Sequence, residues 1–136
     1  LRYFNVYGPR EPLKGKYAPV IGLFKRQVSE GKPITIVGDG EQRRDFTFIN
    51  DVVSANICAM TVKEVEGSFK IYNVGTGKNY SINEIARMIG TEKDIEHLPE
   101  RKAEVRETLA DITATVKDLG WQPKFSSDIE CIINSY

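Results

Sequence analysis

Residues 34–48, Ile-Thr-Ile-Val-Gly-Asp-Gly-Glu-Gln-Arg-Arg-Asp-Phe-Thr-Phe, constrain this chain more than any other stretch. The β-branched run Ile34 to Val37 reads as a strand. It enters a turn at Gly38-Asp39-Gly40 and leaves through Arg43 and Arg44 into a second β-branched and aromatic run. Two strands thus hold a glycine-rich loop offering backbone amides and guanidinium groups, equipment suited to a phosphate or diphosphate. Side chains alternate along an extended segment, so Arg44 shares a face with Phe46 and Phe48, and Arg43 shares the other with Asp45. A guanidinium on the aromatic side needs a partner. A ligand diphosphate and a structural ion pair, for example to Glu41 or Asp45, fit this pattern about equally.

The remaining chain alternates short strands with helices, which predicts a small mixed α/β domain spanning residues 1–136. Residues 2–7 read as a strand stopped by Gly8-Pro9. A helix is predicted from Pro19, with Val20, Phe24 and Val28 on one face and Ile21 and Leu23 beside them. A second helix opens at Asn50 or Asp51, its buried side marked by Val53, Ile57 and Met60. Ser68 to Val74 reads as a strand ending in Gly75-Thr76-Gly77. Ser81-Ile82-Asn83-Glu84 is a capping box that starts a helix carrying Ile82, Ile85, Ala86 and Ile89. A short strand at Ile95 to Leu98 follows. Asp111 caps the next helix, with Ile112, Val116 and Leu119 on its apolar side and Gly120 at its end. Ser127 to Glu130 form a second capping box before Ile129, Ile132 and Ile133.

Composition excludes several roles. Nineteen basic and nineteen acidic residues cancel, so no broad field draws in nucleic acid or an anionic membrane, and any anion must be caught by a local cluster. No apolar run approaches the roughly 20 residues that span a bilayer. Cys58 and Cys131 sit in apolar helical patterns and read as small core residues of a reducing compartment. These features predict a soluble, cytoplasmic protein. The chain opens inside a strand, with no methionine before it, and is expected to be part of a longer protein.

Bond-making chemistry finds little support. Gly38-x-Gly40 is followed by Arg43, and Gly75-x-Gly77 by Tyr80, where a dinucleotide fingerprint needs a third glycine. Both glycine pairs alone are weak signals, and the second reads best as a tight turn. His97 is the one histidine, lies in a charged stretch, and reads as a surface residue. No His/Cys cluster suggests a metal. The stretch Arg101-Lys102-Ala103-Glu104-Val105-Arg106 reads either as a charged surface loop or as a second arm closing over an anion.

Taken together these segments resemble the carboxyl-terminal part of the extended short-chain dehydrogenase/reductases, the nucleotide-sugar epimerases and dehydratases. Leu1 to Arg10 resembles the family's R-[YF]-x-N-x-Y-G-P-R segment. Gly38-Asp39-Gly40 through Arg44-Asp45-Phe46 resembles its G-x-G…R-D-[FYW] loop, followed by Asn50-Asp51-Val52. Tyr72-Asn73-Val74-Gly75 resembles its Y-N-[VI]-G turn, and Ala110-Asp111-Ile112 its A-D-x-[ST]-K-A helix start. The chain departs from the family at Arg101-Lys102-Ala103-Glu104, where Arg-Pro-Gly-Asp is usual.

The resemblance implies a substrate-binding subdomain of an NAD(P)-binding Rossmann-fold enzyme, with the Rossmann core itself largely absent. It places Tyr3 and Phe4 near a nicotinamide ring and Asn5 on the sugar nucleotide. Tyr17, Pro19 and Val20 approach the ligand where the first helix begins. Thr35 and Val37 meet the nucleobase, Thr35 largely through its backbone. Arg44 and Arg101 clamp the diphosphate, and Glu104 faces the ribose. Thr108 borders the sugar pocket, with room beside it for an N-acetyl group. No catalytic residue falls within the chain, because the family's NAD loop and Tyr-x-x-x-Lys pair belong upstream of Leu1. The implied whole is an NAD-dependent homodimer that epimerises a UDP-sugar at C4 by oxidation, rotation of the keto sugar and return of hydride. A 4,6-dehydratase or reductase shares this scaffold, and a non-catalytic nucleotide-sugar binding module is the rival of another class.

Overall fold

A computed structural model describes residues 1–12, 18–62, 70–90, 95–101, 104–125 and 128–136. Its elements are short. Strands β1 (Arg2–Tyr3) and β2 (Val6–Tyr7) precede helix α1 (Val20–Ser29), and β3 (Ile34–Val37), β4 (Arg43–Arg44) and β5 (Thr47–Phe48) lead into α2 (Ile49–Thr61). After β6 (Asn73–Val74) and β7 (Tyr80–Ser81) come α3 (Ile82–Ile89), β8 (Ile95–Leu98), α4 (Thr113–Leu119) and α5 (Ile129–Asn134). The strands form pairs: β1 with β6, β2 with β5 and β3 with β8 are parallel, while β4 with β7 is antiparallel. The predicted mixed α/β architecture is what the chain adopts.

Residues 2–7 form two strands rather than one. Asn5 takes a positive φ of 25°, a region that asparagine tolerates better than most residues. The chain thereby changes partner, from β6 on one side of Asn5 to β5 on the other. The switch is held by Thr47 N–H donating to the Asn5 carbonyl at 3.2 Å and by Asn5 Nδ2 donating to the Asp45 carbonyl at 2.9 Å. The strand expected over 68–74 is limited to Asn73–Val74 among the described residues.

One apolar cluster joins Ile21 and Phe24 of α1, Ile34 and Ile36 of β3, Ile85 of α3 and Ile133 of α5. A second joins Val52 and Ala55 of α2 to Val74, Leu119 and Trp121. Ile49 packs against both. The α3 capping box is realised, with Glu84 N–H donating to Ser81 Oγ and Ser81 N–H to Glu84 Oε2. At α5 the expected box involves Ser127, which lies outside the described residues; Asp128 precedes the helix without a side-chain cap bond. Gly120, at φ 64°, ends α4 in the left-handed conformation that suits glycine.

Two helix faces differ from expectation. Val28 is 42% exposed because Gln27 takes the inward position beside β3. In α2 the expected buried stripe points outward: Val53 is 50%, Ile57 55% and Met60 83% exposed. Apolar residues ring this helix, so periodicity alone does not choose its inward face. Asp51 chooses it. Its buried carboxylate accepts from Lys124 N–H at 2.8 Å and Phe125 N–H at 3.3 Å, and Ser54 accepts from Trp121 Nε1 at 2.8 Å. Those bonds turn Val52 and Ala55 inward. Cys131, expected in the core, is exposed, and Cys58 is half-buried.

Asp45 ties the strands to two distant turns. It is fully buried. Oδ1 accepts from Thr76 N–H at 2.8 Å and Thr76 Oγ1 at 2.7 Å, and Oδ2 from Gly77 N–H at 3.0 Å and Ala110 N–H at 3.1 Å. Gly75 is required here, because a Cβ would come within 2.3 Å of the Ala110 methyl. A second tether is charged and exposed. Arg106 donates through both Nη atoms to Asp39 Oδ1 and Oδ2, at 2.8 and 2.9 Å, tying the turn after β3 to the segment before Thr108. This bond, aided by Glu41 N–H, lowers the Asp39 pKa to about 2.

Two outcomes follow from these carboxylates. Asp45→Asn replaces an acceptor with a donor facing N–H groups, and should cost about 3 kcal/mol, measured by urea unfolding. Asp39 has a depressed folded pKa, so its contribution is present above its ordinary value of 3.8 and is lost as pH falls through about 2. Carboxyl NMR titration should place Asp39 near 2 in the unmodified protein, and Arg106→Ala should return it toward 3.8.

Candidate functional site

The two adjacent arginines face different surroundings. Arg43 is structural: Nε and Nη2 donate to Asn79 Oδ1 and O at 2.8 and 2.9 Å, and Nη2 lies 3.1 Å from Glu84 Oε2. Its backbone also bonds the opposite segment, accepting from Thr108 N–H and donating to the Arg106 carbonyl. Arg44 turns to the other side, as alternation predicts. Its side chain is 15% exposed, with Nη1 on the Arg43 carbonyl at 2.8 Å and Nη2 at 3.5 Å from Glu104 Oε1. The structural ion pair is the reading the structure shows, with Glu104 as the partner in place of Glu41 or Asp45, and it stands at the wall of a cavity.

That cavity encloses about 410 Å³ and is lined by Asn5, Pro19, Val20, Thr35, Val37, Arg44, Arg101 and Glu104. The volume falls within the range of small-ligand sites, about 300–1,000 Å³. Its floor is apolar, with Tyr7, Ile21, Phe24, Ile36, Phe46 and Ile82. Burial first, then the charge of Asp51, pushes the Tyr7 phenol above its ordinary pKa, so it stays neutral at physiological pH. Among the described residues Arg101 makes no hydrogen bond or ion pair, and it lines the same cavity as Arg44.

The edge of β3 supplies the polar groups at the other side. Gly38 N–H donates to the Leu98 carbonyl, and backbone groups alternate along a strand, so Ile34 and Ile36 face β8. Thr35 and Val37 present their backbone groups to the opposite edge. There Gln27 Oε1 accepts from Thr35 N–H at 3.2 Å, and Gln42 Nε2 donates to the Val37 carbonyl at 2.9 Å. Among the described residues the Thr35 carbonyl and the Val37 N–H have no partner on that edge, an acceptor and a donor side by side.

Asn5 is committed on its donor side. Nδ2 donates to the Asp45 carbonyl and, at 3.3 Å, to Thr108 Oγ1, and among the described residues the Asn5 side-chain carbonyl accepts no hydrogen bond. Thr108 does not line the cavity; it stands behind Asn5 and also accepts from Asp45 N–H at 3.4 Å. Tyr3 and Phe4 lie outside the cavity as well. Tyr3 is 46% exposed with its hydroxyl on Asn56 Oδ1, and Phe4 N–H bonds the Val74 carbonyl. Tyr17 lies outside the described residues. His97 is exposed and its Nδ1 is 2.7 Å from the Gly38 carbonyl, which makes it a brace for the turn.

Sequence reading did not single out Gln27, Gln42 or Asp45. Glutamines on apolar faces carry a signal, since a buried amide must find partners, but the partners lie far along the chain or around a turn. Asp45 enters the sequence pattern only as one example of an ion-pair partner for arginine; it is the most connected carboxylate among the described residues.

Residues 1–75 match the NAD dependent epimerase/dehydratase family. A UDP-glucuronate 4-epimerase of Thermodesulfobacterium geofontis is 40% identical over 93% of this chain, and the match covers 38% of that protein. The fold superposes on a UDP-glucose 4-epimerase of Thermotoga maritima with UDP-glucose at a TM-score of 0.82 and 33% identity, covering 98% of this chain and 43% of the other. A Thermus thermophilus UDP-glucose 4-epimerase in complex with NAD gives a TM-score of 0.77 and 30% identity, over 98% and 44%. The chain thus spans about two fifths of the length of these relatives. The motifs, the paired strands and these likenesses lead to one assignment: the chain belongs to the NAD dependent epimerase/dehydratase family, among the extended short-chain dehydrogenase/reductases.

Proposed function

We propose that this chain binds the nucleoside diphosphate portion of a UDP-sugar on behalf of a longer NAD-dependent nucleotide-sugar 4-epimerase. The observation that carries the reading is a single cavity lined both by Thr35 and Val37 of the β3 edge and by the guanidinium-bearing residues Arg44 and Arg101. A uracil ring carries an N–H flanked by carbonyl oxygens, which matches the acceptor and donor left on Thr35 and Val37. The apolar floor takes the flat face of the base and the ribose. Arg44 and Arg101 meet the diphosphate, for which a planar guanidinium is well shaped. Glu104 accepts ribose hydroxyls once the diphosphate has taken its place on Arg44. The Asn5 carbonyl accepts from a hydroxyl of the sugar nucleotide.

The chain's contribution is affinity from contacts remote from the reacting carbon. Such contacts hold one end of the substrate while the sugar stays free to turn. The residues described here do not make a cradle for NAD. Neither glycine pair forms the strand-to-helix turn that holds a dinucleotide pyrophosphate, and Gly75 and Gly77 are engaged around Asp45. We therefore assign no step through the cofactor to this chain; NAD belongs to the longer protein, with Tyr3 and Phe4 on the side toward the nicotinamide. The same reading has the longer protein as a cytoplasmic homodimer. Among the described residues no helix is long and apolar enough to cross a membrane.

Calorimetry with UDP tests the reading directly. Arg44→Ala should weaken UDP binding by roughly 10- to 100-fold, the worth of one charge-assisted hydrogen-bonding partner, while uridine binding changes little. Unchanged UDP affinity would return Arg44 to a purely structural pairing with Glu104. The chain alone should bind without turnover of UDP-glucose.

A further inference from the structure

Gln27 is a polar side chain at 9% exposure on the inward face of α1, and its amide is committed to a single residue. Oε1 accepts from Thr35 N–H at 3.2 Å, and Nε2 donates to Thr35 Oγ1 at 2.8 Å. The first bond satisfies the strand edge and would be enough for structure. The second fills an acceptor position on the Thr35 hydroxyl. An amide nitrogen only donates, so the hydroxyl hydrogen is left over. Among the described residues it has no acceptor, and Thr35 lines the cavity. A part-buried O–H without an acceptor favours a ligand that brings one, and a ligand that offers only another donor leaves the hydrogen unpaired.

We propose that Gln27 is a positioning residue for base selection: by donating to Thr35 it keeps the threonine proton for the ligand, favouring a pyrimidine with a carbonyl at position 4 over one with an amino group. The proposal rests on the cavity being a nucleoside diphosphate site and adds the residue that sets which base enters. Glutamate at position 27 would reverse the arrangement. A carboxylate accepts from both the Thr35 N–H and the Thr35 hydroxyl, so the hydroxyl would present only lone pairs to the cavity.

The test compares UDP and CDP affinities by calorimetry at pH 8 for the unmodified protein and for Gln27→Glu. The unmodified protein should prefer UDP, and Gln27→Glu should narrow that preference by about tenfold or more. A merely structural Gln27 would lower both affinities by the same factor, and an unchanged UDP to CDP ratio overturns the proposal. If thermal melting shows that Gln27→Glu does not fold, Gln27→Met, of similar length, decides by the same ratio. Failure of the unmodified protein to bind either nucleotide overturns the nucleotide-site reading and this proposal with it. A UDP site whose base preference ignores position 27 overturns this proposal alone.

Discussion

Asp45 holds a full set of donors at zero exposure, drawn from a turn some thirty residues on and from the backbone amide of Ala110. A buried carboxylate is tolerated only when its oxygens are filled this way. Because the donors come from segments far apart in sequence, satisfying one side chain brings together the strand after Arg44, the Gly75–Gly77 turn and the approach to α4. The main chain of the same residue anchors Asn5, where the amino-terminal strand changes partner. Much of the cavity's position descends from this contact.

The neighbouring arginines show how a strand can serve two ends. Alternation sends Arg43 to one side, where Asn79 and Glu84 hold it, and Arg44 to the other, where the cavity lies. Arg43 fixes the backbone that aims Arg44. The Asp39–Arg106 pair fixes the turn on the cavity's flank from outside. The Arg44 guanidinium thus stands on backbone that is already ordered, which would limit the entropy lost if it bound an anion.

Much of this was legible before the structure. Gly38-Asp39-Gly40 with Arg44, the Pro19 helix start, the Ser81–Glu84 box and the Gly120 stop are local signals, each readable from its neighbours in sequence. The inward face of α2 was not. Val53, Ile57 and Met60 form as regular a stripe as Val52 and Ala55, and the choice lay with Asp51 and the amides of Lys124 and Phe125. The bonds that Thr108 Oγ1 accepts from Asn5 Nδ2 and Asp45 N–H were not legible either, since they span more than sixty residues. Gln27 passed unnoticed because its partner, Thr35, sits across a helix-to-strand turn.

The sequence by itself determined most of the elements, their order, the family and the arginine-bearing loop that borders the cavity. Those follow from short-range rules of capping, turn chemistry and alternation, which act within a few residues. Only the tertiary structure decided which of two apolar faces went inward, which carboxylate paired with Arg44, and that among the described residues the Thr35 carbonyl and the Val37 N–H stay on an unpaired strand edge. These depend on where buried polar groups find their partners. Such partners are set by distance in space, and for Asp45, Asp51 and Asn5 they lie tens of residues away along the chain.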